Sequence, residues 1–236
     1  MGRSPGVGSS RVMTPWIDKT DAVDVTLFTN LLGAIGLGSA SGLNAWIPLL
    51  GLGIAERLGV VTLTEPFDRL GSTPALLVLG LLFLVDLIGD KIAVIDHVLH
   101  AAGTVVAPVS GAIVFAAQEN LLSQSHPWAA ALAGVVLGES VQLARGAVRP
   151  AVTAGTAGVG NPVVSAVEDA VSFVMTVLAI LVPVLAFVVL VVMTVLVWRR
   201  VLRWRRRRAE RRATIPPAGP APAVDPGGPT PPRAVP

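Results

Sequence analysis

Between positions 170 and 198 the chain runs 29 residues without a charged side chain, AVSFVMTVLAILVPVLAFVVLVVMTVLVW. A helix in water keeps a polar face, and this run has none, so it predicts a membrane-crossing element. As one straight helix it would be about 43 Å long against a hydrocarbon core of about 30 Å. It must therefore tilt, protrude or kink at Pro183. The apolar run at 23–59 is also too long for one span and is broken by Gly38-Ser39-Ala40-Ser41-Gly42. Small residues allow helices to approach closely in lipid, so the pattern predicts a tight helical hairpin or a single kinked span. Asn44 and Pro48 are then the residues able to satisfy the backbone at the break.

Further along, residues 60–72 gather Glu65, Asp68 and Arg69 around Pro66 and predict a loop or short surface helix. Thr73 and Pro74 open a span that ends near Gly89. The stretch 101–117 is moderately apolar and contains Pro108, so it reads as one span or as two half-helices meeting at the proline. Residues 119–125 predict a loop, and His126-Pro127-Trp128 opens a span running to about Val141. A Gly/Thr/Ala-rich break follows at 153–162, ending in Asn161 and Pro162. Those two residues suit a helix start, the Asn side chain accepting from a loose backbone N–H and the proline filling the first turn. Ser165 and Glu168 have the spacing of a capping box and mark a competing start.

Together these elements predict an all-α fold, a polytopic transmembrane helical bundle of about six membrane segments with interrupted or re-entrant helices. A re-entrant piece is expected at 150–161. The transmembrane domain occupies 24–198, preceded by a disordered polar leader at 1–23. An Arg-rich juxtamembrane segment at 199–213 and a disordered tail at 214–236, with nine prolines in 23 residues, follow it. Segments 73–108 and 126–162 share one order of features: x-Pro, apolar span, an acid thirteen residues in (Asp86, Glu139), charged patch, small-residue break, proline-led helix. An internal repeat with units 73–118 and 126–180 would explain that order, and such repeats commonly frame a transport site at their interface.

Composition agrees with this class. Hydrophobic residues make up 53% and charged residues only 14%, against about a quarter charged in soluble domains. The mean hydropathy is +0.70. The net charge of +3 misleads, because nine of 18 basic residues lie between Arg199 and Arg212. Without that run and the tail, eight basic residues face 13 acidic ones. Arginines placed directly after a span, flanked by Trp198 and Trp204, predict a cytoplasmic C-terminus in contact with anionic lipids. They argue against nucleic acid as the partner. With an even number of spans the N-terminus is cytoplasmic too. The leader carries Asp18, Asp21 and Asp24, the wrong charge for a cleavable signal. Cysteine is absent, which removes disulfides and thiolate metal sites, and 16 arginines against two lysines amid abundant Ala, Gly, Val and Pro suggest a GC-rich bacterial genome. The expected location is the bacterial inner membrane, with self-association into a homo-oligomer open.

The candidate chemistry crowds the end of TPALLVLGLLFLVDLIGDKIAVIDHVLH, residues 73–100, where six ionisable groups interrupt an apolar stretch. Charges so placed are costly unless partnered or working. Asp86 and Asp90 share a helix face, Lys91 points elsewhere, and Asp96 follows. Asp96 with His100 has the spacing for a divalent cation, yet no compact metal motif is present. On the next span Glu139, Gln142 and Arg145 roughly share a face, with Arg149 four beyond Arg145. Arg145 and Arg149 read either as cavity-lining or as interfacial snorkelling residues. Glu168 and Asp169 read as acids in a helix's first turn, or as acids facing Lys91 or Arg145 across the bundle. No nucleophile elbow, zinc helix, phosphate loop or dinucleotide fingerprint occurs, so neither cofactor nor enzyme activity is expected.

Three stretches carry a resemblance: GLGSASGLNAWIPLLGLGIAERLG, GDKIAVIDHVLHAAGTVVAPVSGA and GNPVVSAVEDAVSF. Over roughly residues 25–198 the chain resembles an uncharacterised bacterial integral-membrane family known only as domain of unknown function number 4126. The family's Asp-Lys pair and following Asp fall on Asp90, Lys91 and Asp96; its Asn-Pro-x-x-Ser-x-x-Glu-Asp element falls on Asn161, Pro162, Ser165, Glu168 and Asp169. His97 and His100 are not part of the pattern, which weakens the metal reading. The resemblance implies a bacterial membrane protein and no particular activity. The expected function is transport or channel-like passage of a small solute, ion or lipid headgroup through a buried polar site. That site would be lined by Asp86, Asp90, Lys91, Asp96, Glu139 and Arg145, with Glu168 and Asp169 in reach. Two other readings stand beside it: a non-transporting scaffold with an Arg/Pro-rich cytoplasmic tail, and an intramembrane lipid hydrolase using an acid–His pair.

Overall fold

A computed structural model describes residues 19–89, 93–156 and 159–213. Every regular element among them is helical: α1 (Lys19–Ser41), α2 (Trp46–Arg57), a 3-10 turn (Phe67–Gly71), α3 (Thr73–Gly89), α4 (Ala93–Ala117), α5 (Leu121–Ser125), α6 (Pro127–Thr156), α7 (Asn161–Leu181) and α8 (Pro183–Ala213). They form two units, one up to Leu190 and one from Val191, the latter holding the rest of α8. Among the described residues, three helical stretches are long and apolar enough to cross a membrane: Pro127–Thr156, Asn161–Leu181 and Pro183–Arg203. Two shorter apolar stretches are Thr73–Gly89 and Ala101–Ala117.

The run 170–198 does break at Pro183. Val182 leaves the helical region at φ −140° and α8 starts on the proline, whose fixed φ suits a first turn. The run 23–59 is a hairpin. Along α7, Gly36 packs on Ala179 and the Ser172 hydroxyl reaches the Ala40 carbonyl, so α1 descends from 179 towards 172. Asn44 then meets Asp169 and Gly51 meets Thr176, so α2 climbs back along the same helix. With 12 residues, α2 is about 18 Å long, too short to span alone.

One end of the first unit is closed by loops. Thr64 N–H donates to the Ala117 carbonyl at 2.9 Å, and the Asn30 amide donates to the Glu119 carbonyl at 2.7 Å. The segment expected as a loop at 119–125 contains α5, because the Asn120 side chain accepts from the Leu122 and Ser123 N–H groups while Ser123 returns the bond to Asn120. That reciprocal cap nucleates a single turn that hydropathy does not register.

α4 and α6 make the closest helix pair, and small residues explain why. On α4 the facing positions are Gly103, Ala107 and Gly111; on α6 they are Ala130, Gly134 and Gly138. A methyl at Gly134 would fall on the Gly111 carbonyl, and one at Gly138 within 2.7 Å of the Ala107 oxygen. Backbones touch here, which is how helices associate where lipid offers no hydrophobic drive. α4 also runs unbroken through Pro108, so the two half-helices do not form. Gly138 lies against Ala107 and Pro108 and leaves room for the irregular turn. α6 likewise continues through Pro150 to Thr156. Residues 150–156, expected within a re-entrant piece, thus belong to α6, while among the described residues 42–45 interrupt the first apolar run.

Candidate functional site

The break between α1 and α2 leaves backbone groups that must find partners inside the protein. Asn44 Oδ1 accepts from Trp46 N–H at 2.9 Å and Ile47 N–H at 3.3 Å. The next residue, Pro48, has no N–H, so the first turn of α2 has no loose donor left. Ser110 of α4 donates to the Ala45 carbonyl at 2.7 Å, and Ser172 of α7 donates to that of Ala40 at 3.1 Å. Irregular backbone inside a helical bundle must be satisfied by protein partners of this kind. Ser110→Ala removes one donor from a buried carbonyl that also closes the first turn of α2, and is expected to cost about 0.5–1.5 kcal/mol. Thermal unfolding of the detergent-solubilised protein checks this, and an unchanged midpoint would remove Ser110 from the support of the tip.

The tip also gathers charge. Asn44 Nδ2 donates to Asp86 Oδ2 at 2.8 Å and to Asp169 Oδ1 at 2.9 Å. One amide thus ties the break between α1 and α2 to α3 and α7 and holds the two carboxylate oxygens at most 5.7 Å apart. All four hydrogen-bonding positions of the Asn44 amide are in use. On the residue next to Asp169, Glu168 Oε2 receives Arg145 Nε at 2.7 Å and Arg149 Nη2 at 2.9 Å. These three side chains are only 13%, 13% and 10% exposed for Glu168, Arg145 and Arg149. Charge-assisted bonds of this kind are strong and compensate the desolvation of buried ions.

A cavity of about 50 Å³ lies beside them, large enough for several waters by the usual measure of 10–15 Å³ each. Asn44, Trp46, Asp86, Gln142, Arg145 and Arg149 face it, with Leu99, Gly103 and Val106 of α4 as its apolar side. Gln142 is 2% exposed, and among the described residues neither polar atom of its amide has a partner.

The structure therefore brings together Asp86, Arg145, Glu168 and Asp169 from the expected set. Glu168 and Asp169 are the eighth and ninth residues of α7, well past its first turn, so it is the reading of acids facing Arg145 across the bundle that is realised. Arg145 and Arg149 are cavity-lining and paired, not snorkelling. Glu139 lines no part of the cavity, and its partly buried carboxylate has Oε2 without a partner among the described residues. The reason is angular: the face of α6 that meets α1 and α4 runs through Gly134, Gly138 and Gln142, and Glu139 is about 100° round from Gly138. Asp90 and Lys91 lie outside the described residues, as do the side chains of Asp96, His97 and His100, which belong to α4.

Asn161 opens α7 together with Pro162, as expected, but Gly160 occupies the capping position and Asn161 Oδ1 accepts from the Thr153 hydroxyl at 3.0 Å. Ser165 is buried inside the helix and Glu168 serves the arginines, so the capping-box reading gives way. Sequence reasoning gave Asn44 only a backbone role and left Gln142 as a mere neighbour. The four-residue spacing of Ala130, Gly134, Gly138 and Gln142 was the available signal, since it marks one packed helix face.

A family model described as Domain of unknown function (DUF4126) matches residues 31–203, a stretch that includes every residue of this site. No curated protein and no solved structure matches the chain.

Proposed function

Since the chain belongs to the family DUF4126, whose description carries no activity, we propose its function from the site: a multi-pass membrane protein that binds a small polar solute, ion or lipid headgroup at the hairpin tip and lets it cross. The carrying observation is the convergence at a backbone break of Asn44, Asp86 and Asp169 with a cavity lined by Arg145 and Arg149. Buried ionisable groups at interrupted helices are the recurring plan of membrane transport sites.

Membrane embedding is supported by the outer surfaces. Of the 17 residues of α3 only Leu79 and Gly89 are buried, while Leu77 is 69% and Leu81 61% exposed. An apolar helix with so little of its surface covered is compatible with lipid and poorly compatible with water. Along α1 the tip is 12 residues from Asn30 at the loop-closed end, which is about 18 Å of helix. That depth falls inside a hydrocarbon core of about 30 Å. The expected setting is the bacterial cytoplasmic membrane, with the arginines after Trp198 holding the C-terminus inside against anionic headgroups.

Osmotic re-swelling of proteoliposomes tests passage. After a hyperosmotic step with glycine, acetate or potassium salts, at least one probe should re-swell the vesicles tenfold faster than protein-free ones. Asp86→Asn should abolish the excess with insertion intact, and deletion of 214–236 should leave it unchanged. Rates equal to empty vesicles for every probe would end the transport reading; sensitivity to the tail deletion alone would favour a scaffold.

A further inference from the structure

The cavity is lined by donors that the protein does not use. Arg145 spends Nε on Glu168, and among the described residues its two terminal Nη groups have no acceptor. The edge formed by paired Nη groups is the one that grips a carboxylate or phosphate through two parallel bonds. Three residues earlier on α6, and so on the same helix face, Gln142 lines the same cavity. It is nearly fully buried, with both amide atoms unpartnered among the described residues. From α4 comes Gly103, where a methyl would lie 2.8 Å from Gln142 Nε2, so α4 gives the amide room and no side chain to bond. Buried amides are almost always hydrogen-bonded, so such a group on a cavity wall points to a molecule that enters. Of the charged residues lining the cavity two are arginines and one is a carboxylate, Asp86, already held by Asn44. The unspent groups are thus several N–H donors and a single acceptor, Gln142 Oε1. Their complement is a molecule made chiefly of acceptors that carries one donor of its own. The space, about 50 Å³, admits about three to five water-sized atoms.

We infer that the cavity binds a small oxyanion that keeps one acidic O–H, its oxygens accepting from the Arg145 Nη groups and Gln142 Nε2 and its hydroxyl donating to Gln142 Oε1. This rests on the membrane-site reading above and names its ligand chemistry. Free bicarbonate and dihydrogen phosphate present it, and so does the phosphomonoester headgroup of phosphatidic acid.

The test uses the full chain in nanodiscs of phosphatidylcholine, with the melting midpoint followed against anion concentration at matched ionic strength. At least one of bicarbonate and dihydrogen phosphate should raise the midpoint saturably. Formate and nitrate, which have no hydroxyl, should need at least tenfold higher concentration. Gln142→Met should bind all four as weakly as the parent binds formate, since only the guanidinium edge remains. Its ligand-free midpoint should stay equal or rise, because among the described residues the amide has no bond to lose. Arg145→Lys, which keeps the charge but not the fork, should weaken every anion at least tenfold. If the free anions have no effect but phosphatidic acid in the discs raises the midpoint of the parent and not of Gln142→Met, the lipid phosphomonoester is the source and the assignment stands. Formate as effective as bicarbonate and phosphate, or a Gln142→Met that keeps the parent's preference, would overturn it. So would a lower ligand-free midpoint in that variant, or no response to any of these probes, as for a cavity that holds water alone. An Asp86-dependent re-swelling flux of another solute without oxyanion binding overturns this inference alone; oxyanion binding without flux overturns the transport reading alone.

Discussion

Glu168→Ala should be among the most destabilising single substitutions in the chain. Its one Oε2 receives both Arg145 and Arg149, each about nine-tenths buried. Removing one partner of a buried ionic cluster leaves charge without compensation and costs about 3–5 kcal/mol. That is a large share of the roughly 5–15 kcal/mol that holds most folds. For a protein of this size it corresponds to a fall of about 10 °C in melting midpoint. Glu168→Leu combined with Arg145→Met should recover part of the loss, since replacing a buried pair by apolar groups is often neutral. Melting of the detergent-solubilised protein reads the first effect; a Glu168→Ala midpoint within about 2 °C of the parent would show that water already reaches the arginines.

Gly134→Val is expected to be equally damaging through packing alone. Any Cβ at 134 would sit on the Gly111 carbonyl and close to Phe115 Cβ. The obstacles include backbone, which no rotamer change can move aside, so α4 and α6 must separate. Overpacking costs about 1–3 kcal/mol when side chains can shift, and the upper end or more is expected here. Gly80→Ala is the contrasting case. Nothing lies within 4 Å of a methyl at that position of α3, and the substitution should stabilise by about 0.5–1 kcal/mol through helix propensity. Equal midpoints for the two variants would mean that α4 and α6 do not touch through their backbones.

Some of the site was legible because it is local. Thr73-Pro74 and Asn161-Pro162 announce the starts of α3 and α7, and both helices begin there. The cluster at 38–42 announces a break, and α1 ends at Ser41. At Pro108 the sequence left one span and two half-helices open, and α4 runs through, because a proline's cost in a helix depends on what packs against the irregular turn. The likeness of Asp86 and Glu139, each thirteen residues into its span, did not extend to the cavity, since only Asp86 faces it.

Hydropathy and the positions of charge were enough to determine an all-helical chain with apolar spans, an interrupted first segment and ionisable groups too costly to stand alone. Those features follow from free energies of single residues and their nearest neighbours along the chain. Only the tertiary structure decided which of those groups meet. Asn44 joins Asp86 across 42 residues and Asp169 across 125, and Glu168 reaches Arg145 across 23. Each pairing depends on how far the glycine faces let the backbones of α1, α4 and α6 close together, a property of packed pairs of helices that no single stretch of sequence carries.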